Sequence, residues 1–180
     1  GITEFKEFVE IWIHEIKIPI SSMVLKCHNH KQINSIDFLS IIRKLDNNID
    51  QILYYMRSEI TEKDFIIGKF CLKEIVRNVS LKNKDDLLEN QIKLEVNIDN
   101  LNVYTDKKWL EFILNQIVNN SIKYKKNNNS FINITAHEEK DKIILSVYDN
   151  GIGIPSKDIK RVFDKSFTGT NGRDKVKSTG

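Results

Sequence analysis

Phe5, Val9, Trp12, Ile16, Met23 and Cys27 recur at intervals of four and three, with Ile20 close to the line across Pro19. A repeat of that kind puts one apolar stripe on a helix and forces the chain to bury it. Residues 2–28 are therefore expected to form a helix. Pro19 lacks an N–H and crowds the carbonyl of Glu15, so a kink is expected there. A second seam, Phe38, Ile42, Leu45, Ile49, Ile52 and Met56, follows a polar break at His28–Gln32 and a helix start at Asn34 or Ser35. Two such helices joined by a short connection make an antiparallel hairpin. One hairpin leaves part of its seam in water, and pairing as a homodimer into a four-helix bundle would cover it. Packing of the hairpin on the C-terminal part of its own chain is the alternative.

His14 points away from this stripe. At about 100° per residue it lies roughly 160° from the middle of the seam. Ile18, Ser21 and Leu25 share its side. Branched apolar residues beside an outward histidine suggest a docking surface rather than a solvated face. A single helical histidine is nonetheless more often a residue without chemistry, so the rest of the chain decides. Cys27, His28 and His30 have metal-ligand chemistry, but no second ligand cluster follows, and a helix end entering a polar turn explains them.

From Asp64 the pattern changes. Phe65–Ile67 reads as a short strand, and Leu72, Ile75, Val76 and Val79 as a helix reaching Glu89. Ile92–Ile98 alternates with period two, as a half-buried strand does, and Asn102–Tyr104 reads as extended. Thr105 or Asp106 can cap a helix carrying Leu110, Ile113, Leu114, Ile117, Val118 and Ser121 on one face. Phe131–His137 and Lys142–Tyr148 read as a hairpin. A helix is expected over Ser156–Phe163, and Asp164–Gly180 reads as a loop rich in Gly, Ser, Thr and charge. The order of elements implies an α+β sandwich, a mixed sheet with helices on one face. Residues 1–62 and 63–180 are the expected domains.

Charge excludes little but helps. With 28 basic and 25 acidic residues the net charge is +3, which gives no argument for nucleic acid or an acidic lipid surface. No apolar run approaches the roughly 18 residues of a membrane span. The two cysteines, far apart, suit a reducing compartment. The chain opens inside a helical pattern, so a membrane anchor is expected upstream.

Two constellations carry chemistry. Gln116, Asn120 and Lys123 stand at i, i+4 and i+7, flanking the apolar face of their helix. Amides and an ammonium in that line can meet a hydrated metal and a phosphate chain, and Mg²⁺ needs few protein oxygens because it keeps its waters. A polar helix flank has the same pattern. The second constellation, Asp149-Asn150-Gly151-Ile152-Gly153, directly follows a strand. A carboxylate there can accept from an exocyclic amine such as that of adenine, and two glycines let the backbone approach a flat base or take φ > 0.

Together these residues resemble the cytoplasmic core of bacterial sensor histidine kinases, a dimerising helical hairpin followed by a GHKL-type α/β sandwich that binds ATP. His14-Glu15-Ile16-Lys17-x-Pro19 is similar to the phosphoacceptor H-box, Asn119–Tyr124 to the N-box, Asp149-x-Gly151-x-Gly153 to the G1 box, and Phe163–Gly169 to the F-box. Ser178-Thr179-Gly180 resembles the opening of the G2 box. The Phe-Thr-Gly-x-Asn-Gly-Arg run is similar to that of the short intramembrane-sensing kinases paired with peptide-antibiotic transporters. The resemblance implies that His14 takes the γ-phosphoryl group of ATP and passes it to an Asp of a response regulator docking near His14, Ile18, Ser21 and Leu25. It implies that Glu15 orients or deprotonates His14, and that Asn120 ligates Mg²⁺. Lys123 would meet phosphates, Tyr124 would line the pocket, Asp149 would read adenine, Phe163 and Phe167 would anchor a lid, and Arg173 would reach phosphates.

Three departures stand out. Gln116 replaces the usual first Asn but keeps an amide. Ile18 stands where many relatives have Thr or Asn, the residue thought to position water for dephosphorylating the regulator, so weak phosphatase activity is expected. The sequence stops inside the G2 box, where the family pattern continues through a helix and usually two strands. The expectation is a longer molecule, and an intact mass clearly above 21.1 kDa decides it. Two other readings stay open at this point: a chaperone- or topoisomerase-like ATPase in which His14 is incidental, and a non-catalytic dimerisation module.

Overall fold

The computed structural model describes residues 12–13, 16–25, 38–39, 41–43, 45–50, 52, 65–126, 128–164, 167 and 169–171. The chain divides into two compact units, Gly1–Asp64 and Phe65–Gly180.

In the first unit, residues 16–25 are helical straight through Pro19, and 38–39, 41–43, 45–50 and 52 are helical as well. The expected connection near residues 28–34 lies outside the described residues. Ile41 is buried, whereas Phe38, Ile42 and Ile49 of the expected seam are 41–48% exposed. Much of this apolar stripe is therefore uncovered in a single chain.

The second unit runs β1 (Ile67–Cys71), α1 (Leu72–Lys82), α2 (Lys84–Glu89), β2 (Lys93–Ile98), β3 (Asn102–Asp106), α3 (Lys107–Lys123), β4 (Phe131–Glu139), β5 (Lys142–Asp149) and α4 (Ser156–Ile159). β1 and β3 pair antiparallel as a two-stranded sheet. A separate mixed sheet has the order β2-β4-β5. β2 lies parallel to β4 with Leu94 beside Ile132, and β4 lies antiparallel to β5 with Ile134 beside Val147. The architecture is α+β as expected, with two sheets among the described residues rather than one.

The core explains the arrangement. Leu72, Ile75, Val76 and Val79 of α1 meet Leu114 and Val118 of α3 and Ile132, Ile134 and Ala136 of β4. The alternation along β4 places Ile132 and Ile134 at 1% exposure, where truncation of either to alanine removes about 2–5 kcal/mol.

Several boundaries differ from the sequence reading. The first strand starts at Ile67 instead of Phe65, because pairing with Asn102–Asp106 sets its register, while the Phe65 ring stacks on Trp109 at 5.4 Å. The helix expected to reach Glu89 breaks at Asn83. That side chain is buried and donates to Val79 O (2.8 Å) and to Asn115 Oδ1 (2.7 Å), which fixes a helix end where local propensity shows none. Ile113 and Ile117, expected on the core face of α3, are 48% and 39% exposed. The buried line passes through Leu114, Asn115, Val118 and Ser121, about 100° away. The helix expected over Ser156–Phe163 is only Ser156–Ile159.

Asp106 caps α3. Its Oδ1 accepts from Trp109 N–H (3.1 Å) and its Oδ2 from Ile66 N–H (2.9 Å), joining the entry of β1 to the start of α3. Burial pushes its carboxyl upward. The amides of Ile66, Trp109 and Lys108, with the Lys108 charge, outweigh that and hold it below the usual carboxylate range. A depressed folded pKa gives stability that is present above the unfolded value of about 3.9 and is lost as pH falls through the folded value. Asp106→Ala should therefore cost about 1–2 kcal/mol at pH 7. Urea unfolding at pH 7 and pH 3 should show the gap to wild type narrowing in acid.

Candidate functional site

The end of α3, the turn after β5 and the segment beyond α4 enclose a cleft of about 330 Å³. Asn120, Lys123 and Tyr124 form one wall. Gly153, Ile154, Pro155 and Asp158 form a second, and Val162, Phe167, Gly169 and Asn171 a third. α3 delivers its residues because its opposite face is fixed in the core: Ser121 and Val118 are buried, so Asn120 and Lys123 stand exposed at the rim. Lys123 Nζ lies 5.4 Å from the Tyr124 ring centroid.

The turn after β5 is built around Asp149. Its Oδ2 accepts from the Ser121 hydroxyl (3.0 Å) and its Oδ1 from the Gly151 N–H (2.8 Å). Ile152 N–H donates to Tyr124 O at 3.0 Å, tying the turn to the C-terminal end of α3. Gly151 has no room for a side chain: a Cβ would stand 2.6 Å from Tyr124 O and 2.8 Å from Asp149 Oδ1. Gly153 has φ +73°, with open space where its Cβ would be, so conformation rather than crowding favours glycine there. Asn150 does structural work, accepting from Phe131 N–H (2.9 Å) and donating to Asn129 O (2.8 Å).

Of the residues singled out in the sequence, Asn120, Lys123, Tyr124, Gly153 and Phe167 line the cleft. Asp149 and Gly151 do not line it: Asp149 is bonded to Ser121 on α3, and Gly151 stands against the carbonyl of the lining residue Tyr124. Gln116 is half-buried on α3 and Phe163 is 98% exposed, and neither lines it. The structure thus does not place Phe163 as a lid anchor; its ring meets solvent, whereas the Phe167 ring carries the Arg161 guanidinium at 4.4 Å. His14, Glu15 and Arg173 lie outside the described residues. Ile18, Ser21 and Leu25 all lie exposed on the helix 16–25.

Asp158 escaped the sequence reading, and Asn171 entered it only within the Phe-Thr-Gly-x-Asn-Gly-Arg run, with no role. An acidic residue in a first helical turn is ordinary, and only the contacts across the cleft distinguish this one. Among the described residues no group of three or more His, Cys, Asp or Glu could hold a metal, and no helix is long and apolar enough to cross a membrane.

Comparison with known proteins bears on the same segments. Residues 105–180 match the family "Histidine kinase-, DNA gyrase B-, and HSP90-like ATPase". The chain is 32% identical to the sensor histidine kinase YxdK of Bacillus subtilis (strain 168) over 174 residues, covering 96% of this chain and 54% of that protein. It is 29% identical to the sensor histidine kinase GraS of Staphylococcus epidermidis (strain RP62A) over 182 residues, 99% of this chain and 52% of that protein. A crystal structure of histidine kinase ThkA in complex with response regulator protein TrrA shares the fold: TM-score 0.64, 22% identity, 98% of this chain and 56% of that one. The chain spans about half the length of the two relatives.

The α+β unit with this cleft is a GHKL-type ATPase domain. Over nearly its whole length the chain is similar to sensor histidine kinases, BceS and GraS among them.

Proposed function

We propose that the chain is an ATP-dependent protein-histidine kinase core that phosphorylates its own His14 and hands the group to a response regulator. The observation that carries this is the cleft itself: the amide of Asn120, the ammonium of Lys123 and the Tyr124 ring stand together on one wall, beside the turn held by Asp149.

The residues suit each part of a nucleotide. Asp149 keeps an exposed carboxylate at a fixed strand end, where it can accept from the exocyclic amine of adenine. Tyr124 offers a flat apolar surface to the base or sugar. Lys123 supplies a mobile positive charge for phosphates. Mg²⁺ fits this donor set as a passenger of the nucleotide: the Asn120 amide oxygen is a hard ligand, and with no carboxylate cluster among the described residues the ion would keep waters and phosphate oxygens. When bound it neutralises phosphate charge. The lone pair of one His14 ring nitrogen attacks the γ-phosphorus, the bond to the β,γ-bridging oxygen breaks, ADP leaves, and Glu15 takes the released proton. Such a transfer needs mainly positioning and charge neutralisation.

Incubating the chain with γ-labelled ATP tests this. Acid-labile, alkali-stable label on the protein supports it. Nucleotide turnover without label assigns the chain to another ATPase class, and neither result leaves only a dimerisation and docking module.

Exposed Ile18, Ser21 and Leu25 offer the surface for the regulator's receiver domain, and the uncovered seam residues Phe38, Ile42 and Ile49 support a homodimer. On this reading the chain is the cytoplasmic part of a membrane-anchored receptor. Ile18 cannot hold a water by hydrogen bonding, so the chain should remove phosphate from its regulator slowly. Ile18→Thr should speed that loss roughly tenfold, the worth of one hydrogen bond near 1.4 kcal/mol. Equal dephosphorylation by wild type and variant would sink the idea.

A further inference from the structure

The cleft contains a carboxylate to which phosphoryl transfer gives no role. Asp158 is 8% exposed, and a carboxylate that deeply placed is costly unless strong donors meet it. Its Oδ2 accepts the N–H of Thr170 at 2.9 Å, twelve residues on. Beside that bond the side-chain amide of Asn171 donates to Gly153 O at 2.9 Å, across eighteen residues. The carboxylate has close neighbours: a Cβ on Gly169 would stand 3.2 Å from the same Oδ2.

α4 is four residues long, and its backbone is tied locally, Asp158 N–H to Pro155 O and Arg161 N–H to Asp158 O. Thr170 and Asn171 are helical, Gly169 directly before them is in neither helix nor strand, and none of the three is in a sheet among the described residues. Among the described residues, the bonds donated by Thr170 to Asp158 and by Asn171 to Gly153 join the third wall of the cleft to the second.

We propose that Asp158 is a positioning residue for the nucleotide cleft: its buried carboxylate fastens Gly169–Asn171 to the Gly153–Asp158 wall and so sets the cleft's width. The proposal rests on the nucleotide reading for its consequence, though not for the fastening. Removing the carboxylate frees Thr170 and lets the wall that carries Phe167 and Asn171 move outward. The loss then falls on nucleotide affinity more than on the chemical step.

The test uses the full chain with Asp158→Ala, Asp158→Asn and Gly169→Ala. Amide hydrogen exchange is measured without nucleotide, and binding is measured with a fluorescent ATP analogue. In Asp158→Ala the Thr170 amide should exchange at least about tenfold faster, while amides of Phe131–Glu139 keep their protection. The dissociation constant should rise roughly tenfold, as expected for one hydrogen bond to a charged acceptor, and in autophosphorylation KM should change more than kcat. Asp158→Asn keeps a carbonyl acceptor and should recover most of both effects. Gly169→Ala leaves the carboxylate in place but crowds it, and should shift exchange and affinity the same way. Wild-type exchange at Thr170 in both Asp158→Ala and Gly169→Ala overturns the proposal. So does an Asn variant that protects Thr170 yet binds as poorly as Ala. If wild type binds no nucleotide, the kinase reading fails, and Thr170 exchange still decides whether Asp158 is the fastener.

Discussion

Gly151→Ala should nearly abolish nucleotide binding while leaving the fold of the second unit intact. The added methyl would lie 2.6 Å from Tyr124 O and 2.8 Å from Asp149 Oδ1. The first is a backbone atom at the C-terminal cap of α3, so it cannot swing away as a side-chain tip could. Relief requires the turn to lift off the helix end. That breaks the Ile152 N–H bond to Tyr124 O and the Gly151 N–H bond to Asp149. Overpacking of this kind costs about 1–3 kcal/mol, and the bonds lost with it place the effect at the upper end, roughly a hundredfold in affinity. The residues displaced, Asp149 and Tyr124, are two that the base would meet. The core clusters on Leu72–Val79, Leu114, Val118 and β4, away from this turn, so far-ultraviolet circular dichroism should match wild type. Gly153→Ala gives the internal comparison. Its Cβ meets nothing, and only its positive φ is penalised, about 1–2 kcal/mol. Titration with a fluorescent ATP analogue should rank the loss as Gly151→Ala above Gly153→Ala above wild type. Wild-type affinity in Gly151→Ala would remove this turn from the site.

The same turn shows what a sequence can disclose. Asp149, Gly151 and Gly153 were legible because each answers a local demand: a strand end, a backbone approach and a left-handed φ. The cap at Asp106 and the strands over Lys93–Ile98 and Phe131–Glu139 were legible for the same reason, since alternation and capping are short-range patterns. The misses have one physical cause. The break at Asn83 comes from a bond to Asn115, 32 residues away. The register of β1 is imposed by β3. Ile113 and Ile117 fit an apolar stripe, and only the packing of α3 against α1 and β4 decides which edge of that stripe is covered. Asp158 carries no local signal, because its partner, Thr170, is reached only when the chain folds back over the cleft. Short-range physics writes the walls of the site into the sequence. Long-range pairing decides how far apart they stand.

His14→Gln should separate binding from transfer. Every described residue lining the cleft falls between Asn120 and Asn171, and His14 belongs to the other unit. The variant should therefore bind the ATP analogue as wild type does. Glutamine keeps a polar side chain but has no ring nitrogen able to carry a phosphoryl group, so acid-labile label should fall below detection. This is the reverse of Gly151→Ala, which should lose label because it loses nucleotide. The two defects lie in different units and can complement in the proposed homodimer. In a mixed dimer one protomer can offer an intact cleft and the other an intact His14. Return of label in such mixtures assigns transfer between protomers, and its absence assigns transfer within each chain. Label that persists in His14→Gln alone places the acceptor elsewhere and overturns the assignment of His14.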